Sequence, residues 1–359
     1  MGGCENDGER WRFALAERSR LSQNSALEIY QLAQFSQSQF GEGTLSSYGW
    51  RRNREPEAAK GILQLDTLAE DECLAKTSDG IRRFRLPAGH HFIALYRSLL
   101  DDKSYGPLAG DALVEVFLGR DQRDKAREVL EKTIAKYGDG TDDARKKLLK
   151  QIIGNWGRFG AAETVPAGQR PSLPLAFRNA TNIKLTATLV NMDAVLRDVI
   201  TYLESNPKEI DSSKISPQEI AQRLIDRQAQ KYIRDPAATW QVKLSPNDKH
   251  RDTETNVELP LNQAGAWWIS AEIEGGNSFK TLAWIVDSVL LQKDVNGRMQ
   301  WWVADAKMGA PIAGAQVELF GYRSVEIENP LPKKRRYNVI SPTHLPHHRC
   351  RWKSIVKEW

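Results

Sequence analysis

Cysteine is scarce. Three occur in 359 residues, at Cys4, Cys73 and Cys350, odd in number and far apart. That excludes the disulfide framework that staples small secreted domains. Long apolar runs are missing too. No stretch approaches the roughly 20 apolar residues a spanning helix requires, so the chain is not expected to cross a membrane by itself. The residues from Met1 to Arg20 are mostly charged and lack the apolar core of roughly 7–15 residues that a secretory leader carries. There is no Gly-rich phosphate loop, no paired-carboxylate motif and no Ser/His/Asp motif. The sequence therefore offers no catalytic residue, no cofactor-binding residue and no metal ligand set, and the expectation is a protein that is not an enzyme.

What is present is ordinary for a globular chain. Hydrophobic residues make up 40% and charged residues 27%, and the length suits two or three domains. The net charge of +5 is diffuse, apart from Lys333-Lys334-Arg335-Arg336. A solvated surface with one basic tail accounts for it, and no nucleic-acid partner is expected. His344, His347, His348 and Cys350 are of ligand type for zinc, but no second, separated ligand pair accompanies them, so the tail is not read as a metal site. His90-His91 follows a Pro-Ala-Gly turn with no nucleophile or carboxylate set beside it by motif, which suits a helix start.

Periodicity divides the chain. Residues 1–22 read as a loose leader or a short frayed helix. Leu27, Tyr30, Leu32 and Phe35 fall near helical spacing, and Gly41 and Gly43 end that helix. Ala58 to Leu74 is helical in composition, and another helix restarts near His90. The clearest hairpin runs from Asp111 to Tyr137. Leu113, Val116 and Phe117 form one face, Gly119 to Gln122 the turn, and Ala126, Val129, Leu130, Ile134 and Tyr137 one stripe. It resembles a tetratricopeptide-type hairpin, although no period of about 34 residues repeats it. The front domain is thus expected to be α-helical over 23–160.

The proline- and glycine-rich run from Gly160 to Ser172 marks a boundary. Beyond it the period is two. Leu173–Phe177 and Ile183–Leu189 read as strands, Asp193–Tyr202 and Ser216–Tyr232 as helices. Strands resume at Trp240–Leu244, Thr255–Leu261, Ala266–Ile273 and Lys280–Val289. This predicts a β-sandwich over 172–288 with a helical insertion at about 191–235. Trp267-Trp268 and Trp301-Trp302 are adjacent pairs on strands. Neighbours on a strand face opposite ways, so each pair places one indole in the core and one outside; the outer ones are expected to pack on the insertion or a neighbouring domain.

Two stretches carry a family resemblance. One runs from Trp240-Gln-Val-Lys-Leu to Leu259-Pro-Leu-Asn-Gln-Ala-Gly-Ala-Trp-Trp-Ile-Ser-Ala. The other runs from Thr281-Leu-Ala-Trp-Ile-Val-Asp to Trp302-Val-Ala-Asp-Ala-Lys-Met-Gly-Ala-Pro-Ile-Ala-Gly-Ala-Gln-Val-Glu-Leu-Phe. Together they resemble the amino-terminal macroglobulin domains of bacterial α-2-macroglobulin-like proteins of planctomycete type, and the resemblance covers residues 172–323. It implies a macroglobulin-type sandwich and the start of a second one, so that with the helical, tetratricopeptide-like front domain the chain is expected to be α+β and multi-domain. The tail departs from the family: strands completing the second sandwich would follow Tyr322, but a polar run from Glu328 stands there, so a partial second sandwich over 291–323 and a disordered tail over 324–359 are expected.

It also implies endopeptidase inhibition by the whole protein, with proteases as partners and a periplasmic or extracellular place; a complete chain without a leader would instead be cytoplasmic. Family members use a bait segment and a Gly-Cys-x-Glu-Gln thioester. None of the three cysteines lies in that context, so no active residue carries over. The chain is expected to be an amino-terminal fragment acting as scaffold, with a protein-binding module in the helical hairpins as the alternative.

Overall fold

The computed structural model describes residues 5–21, 25–41, 61–78, 80–205, 211, 229–296, 298–315, 317, 323–326 and 338–341. The chain mixes α and β structure and divides into two compact units. One holds residues 1–154 with 246–252, the other 155–245 with 253–359. The sequence reading put the helical part as far as 160; the division falls after Gly154 because Trp156–Phe159 is a strand of the second unit.

In the first unit, α1 (Asp7–Leu21) is a 15-residue helix where a loose leader or a short frayed helix was expected. Its own sequence is polar, and what holds it is tertiary. Arg18 Nε pairs with Oε1 of Glu28 at 2.7 Å, and Glu28 is only 4% exposed. Trp11 lies on Phe35 with ring centroids 4.6 Å apart. Both partners belong to α2 (Ala26–Phe40).

Residues 61–85, read from composition as partly helical, instead form a short 3-10 turn and an antiparallel hairpin of β1 (Glu72–Thr77) and β2 (Gly80–Arg85). The reason again lies far along the chain. The guanidinium of Arg120, wholly buried, donates to the carbonyls of Ala69 and Glu72 at 3.0 Å each, and the Gln122 amide donates to the Leu68 carbonyl at 2.7 Å. Such bonds occupy backbone groups that would otherwise be buried without partners, and they override local helical preference.

Next come α3 (Phe92–Ser98), α4 (Gly106–Gly119), α5 (Arg123–Tyr137) and α6 (Ala144–Ile153). The hairpin starts at Gly106, five residues ahead of the expected Asp111, because Gly106-Pro107 opens the helix rather than breaking it; proline is favoured in a first turn. A Cβ on Gly110 would fall 2.9 Å from Cγ2 of Thr133, so glycine is what lets α4 and α5 approach. Phe92, Ile93, Tyr96, Leu113, Phe117 and Leu130 fill the core between these helices.

The second unit is a two-sheet sandwich. One sheet has three antiparallel strands in the order β3 (Trp156–Phe159), β5 (Ser172–Arg178), β8 (Thr253–Glu258). The other has the order β4, β10, β9, β6, β7, with β4 (Val165–Pro166), β6 (Asn182–Val190), β7 (Ile233–Lys243), β9 (Gly265–Ile273) and β10 (Ser278–Val286). β4 is parallel to β10; the remaining pairs are antiparallel. Leu173, Leu175 and Phe177 of β5 meet Ile183, Leu185 and Ile269 of the facing sheet, every one at most 1% exposed. Period-two alternation puts them on one face.

The outer face of the larger sheet is also covered. Helix α7 (Met192–Glu204) follows β6, and its Val195 packs with Trp268, Leu282 and Tyr232 in a second apolar cluster. Asn191 caps this helix, its Oδ1 accepting from the Ala194 amide at 3.2 Å. β7 begins at Ile233, ahead of the expected Trp240, so its first residues pair with β6 where an insertion was read. The short α8 (Ala229–Tyr232) is helical; residues 212–228, and with them most of the expected Ser216–Tyr232 helix, lie outside the described residues.

The expected strand Lys280–Val289 divides at Asp287. β11 (Ser288–Val295) pairs with β12 (Arg298–Asp305) as a separate two-stranded ribbon. In the tail, expected to lack structure, β13 (Arg323–Glu326) and β14 (Asn338–Ser341) pair antiparallel.

Candidate functional site

One concavity among the described residues lies wholly in the first unit. It is a groove of about 810 Å³ between α2 and α4, floored by α3. Helical spacing places its lining. From α2, Tyr30, Gln34, Gln37 and Ser38 recur on one face; from α4, Leu108, Asp111, Ala112 and Glu115 do the same. Tyr96 of α3 and Val116 form the buried floor.

The floor is fixed by a hydrogen bond, the Tyr96 hydroxyl donating to Oε1 of Gln37 at 2.7 Å. Tyr30 stands over it, its ring edge-on to Tyr96 at 5.8 Å and tilted against Tyr105 at 5.5 Å. Such offset and edge-on pairs rigidify a wall. Burial pushes the Tyr96 phenol well above its ordinary range, with Tyr30 and Glu115 adding to the shift. Burial also raises the Tyr30 phenol, and the carboxylates of Glu115 and Asp111 raise it further. Both phenols are neutral donors at physiological pH.

The two carboxylates differ. Asp111 is held by Arg145 of α6 in a two-point contact, Nε to Oδ1 at 2.7 Å and Nη2 to Oδ2 at 2.8 Å. That fork keeps Arg145 charged, with its basicity raised. Glu115 is exposed and has no ion pair among the described residues. The groove therefore presents a rigid aromatic wall, amides, an exposed leucine and one uncompensated negative charge. It holds no arrangement of nucleophile and base.

The residues weighed in the sequence fall elsewhere. His90 closes a 3-10 turn and stacks edge-on against Phe40 at 5.2 Å, and His91 occupies the position before α3. Burial depresses the basicity of His90, and Arg12 depresses it further. Cys73 is buried in β1. Cys4, Cys350, His344, His347, His348 and Lys333 to Arg336 lie outside the described residues. Among the described residues, no group of three or more His, Cys, Asp or Glu side chains is placed to hold a metal ion, and no helix is long and apolar enough to cross a membrane.

Trp267 sits in the sandwich core and donates its indole N–H to the Gln263 carbonyl at 3.0 Å; Trp268 lies on the opposite face, under α7. Sequence reasoning missed the groove. Its parts come from three helices far apart in the chain, and only Tyr30 and Val116 stood out by periodicity.

No family model matches the chain, and no curated protein does. Solved structures are similar to parts of it. One is native α-2-macroglobulin from Escherichia coli spanning domains MG0-NIE-MG1, at 17% identity and a TM-score of 0.30, covering 45% of this chain. The chain spans about half of that structure, 49% of its length. Another is the same protein spanning NIE-MG1, at 16% identity and a TM-score of 0.30, covering 54% of this chain and 99% of the other. Neither speaks for the planctomycete-type assignment. Likeness this loose carries no functional weight.

Proposed function

We propose that this chain is a non-catalytic, scaffold-forming part of an α-2-macroglobulin-like endopeptidase inhibitor that works outside the cytoplasm, with proteases as the partners of the larger protein. The supporting observation is where the resembling residues sit. Trp240–Lys243, Gly265–Ala271 and Thr281–Val286 lie on β7, β9 and β10 of the five-stranded sheet. The planctomycete-type affinity belongs to the same reading. The test is incubation of the full chain with proteases of several specificities, with and without methylamine. Ordinary limited proteolysis, no conjugate stable to denaturation and no effect of methylamine are expected. A conjugate that methylamine abolishes would mean that a cysteine here forms a thioester, and would overturn the scaffold reading.

A second reading is favoured by the groove between α2 and α4: the helical unit as a protein-binding module. Paired helices offer such concave faces to peptides. Retention of one defined partner by the full chain, lost on substitution within the groove, supports it.

A further inference from the structure

We propose that the groove between α2 and α4 binds an extended segment of a partner protein through a lysine or arginine side chain, whose cationic head meets Glu115 and whose stem lies along Tyr30. This rests on the protein-binding reading of the helical unit and names what that module would select.

Charge complementarity carries the argument. Two carboxylates line the groove, and the fold neutralises only one. Arg145 answers Asp111 with two parallel hydrogen bonds, while Glu115 has no ion pair among the described residues. Other carboxylates of this unit that lie near a cation are paired with it: Glu70 with Arg97 and Lys125, Asp66 with Arg251, and the buried Glu28 with Arg18. Glu115 differs from these in standing inside a concavity with no cation beside it among the described residues.

Its surroundings suit a long cationic side chain. Tyr30 supplies an aromatic face held in place by Tyr96 and Tyr105. Lysine and arginine bury their methylene stems on apolar surface while the head stays solvated or paired, and an aromatic ring favours such a head electrostatically. Leu108, 47% exposed at the rim, gives an apolar neighbour side chain a place to rest. Gln34 and Ser38 offer donors and acceptors to a peptide backbone. Among the described residues, nothing cationic lines the groove to compete with the ligand. An acidic peptide or a nucleic acid would face Glu115 and find no counter-charge.

The test uses the full chain and a fluorescein-labelled peptide with one central lysine between leucines, against the same peptide with norleucine in its place. Fluorescence anisotropy is expected to show the norleucine peptide binding about tenfold more weakly, as loss of a paired, ring-stacked cation implies. Glu115→Gln is expected to weaken the lysine peptide about three- to fivefold and leave the norleucine peptide unchanged. Glu128→Gln, an exposed carboxylate on α5 outside the groove, should change neither, and far-ultraviolet circular dichroism confirms that each variant is folded.

Equal binding of the two peptides, or wild-type binding by folded Glu115→Gln, overturns the proposal; so does no binding of either peptide. Spermidine binding as tightly as the lysine peptide would overturn it in favour of a small amine. A defined partner that is retained despite Glu115→Gln would keep the protein-binding reading and sink this one.

Discussion

Trp267-Trp268 lies on β9 and Trp301-Trp302 on β12, each doublet on a strand of an antiparallel hairpin with its neighbour in register. Local sequence treats them alike. The fold does not: Trp267 and Trp268 are 4% and 3% exposed, whereas Trp302 is 42% exposed and Trp301 is half-buried. β9 is the middle strand of five, with a second sheet on one face and α7 on the other. β12 belongs to a two-stranded ribbon whose Leu290 and Leu291 are 49% and 54% exposed. Isolated ribbons of this kind are marginal in water. An aromatic doublet therefore marks a strand with two apolar faces, and burial depends on how many layers the rest of the chain brings to it.

The sharpest way to break this comparison is to truncate one member of each pair. Trp268→Ala removes a buried indole that packs with Val195, Tyr232 and Leu282. It is expected to cost about 3–5 kcal/mol. Trp302→Ala should cost less, about 1 kcal/mol, since 42% of that residue is already exposed to water and it lies on a ribbon with one partner strand. Urea denaturation followed by circular dichroism reads both midpoints. Similar shifts for the two variants would mean that the ribbon is covered in solution and that the contrast does not hold.

The legible part of the fold was the part with local causes. Leu173, Leu175 and Phe177 alternate on β5, and Ala126, Val129 and Leu130 repeat at helical spacing on α5; each pattern carries its own period. Elements set by distant partners were not legible. The β1–β2 hairpin depends on Arg120 and Gln122, some fifty residues away, and α1 depends on Glu28 and Phe35. The groove is a stronger case. Gln37, Tyr96 and Glu115 have no meaningful spacing in sequence, and only helix packing makes them neighbours. Trp268 falls between the extremes: its outward direction follows from strand geometry, but its cover depends on α7.

That cover gives the next test. Val195→Ala deletes two methyl groups from a side chain only 1% exposed beneath α7, and should cost about 2 kcal/mol. Leu196→Ala, one residue on but 51% exposed, should change stability by less than about 0.5 kcal/mol. Equal costs would mean that α7 does not present this face to the sheet. Tryptophan fluorescence is the natural readout, because Trp268 lies under Val195 and should shift to the red as its cover loosens.

The smallest effect concerns how the sheets are tied at one end. Asn277, in the turn between β9 and β10, grips β3 of the other sheet. Its Oδ1 accepts from the Gly157 amide at 2.9 Å and its Nδ2 donates to the Gly157 carbonyl at 2.8 Å. The grip needs glycine at 157, where a Cβ would stand 3.1 Å from Phe279 and Ile273. Two half-buried neutral bonds contribute about 1–2 kcal/mol net. Asn277→Asp keeps the acceptor, loses the donor and leaves the Gly157 carbonyl facing a carboxylate, so the cost should approach that of Asn277→Ala despite similar size. Amide hydrogen exchange separates this local tie from global stability: the Gly157 amide should lose protection in Asn277→Ala far more than the amides of β6. If β6 exchanges faster by the same factor, the clasp holds the whole sandwich rather than one end of it.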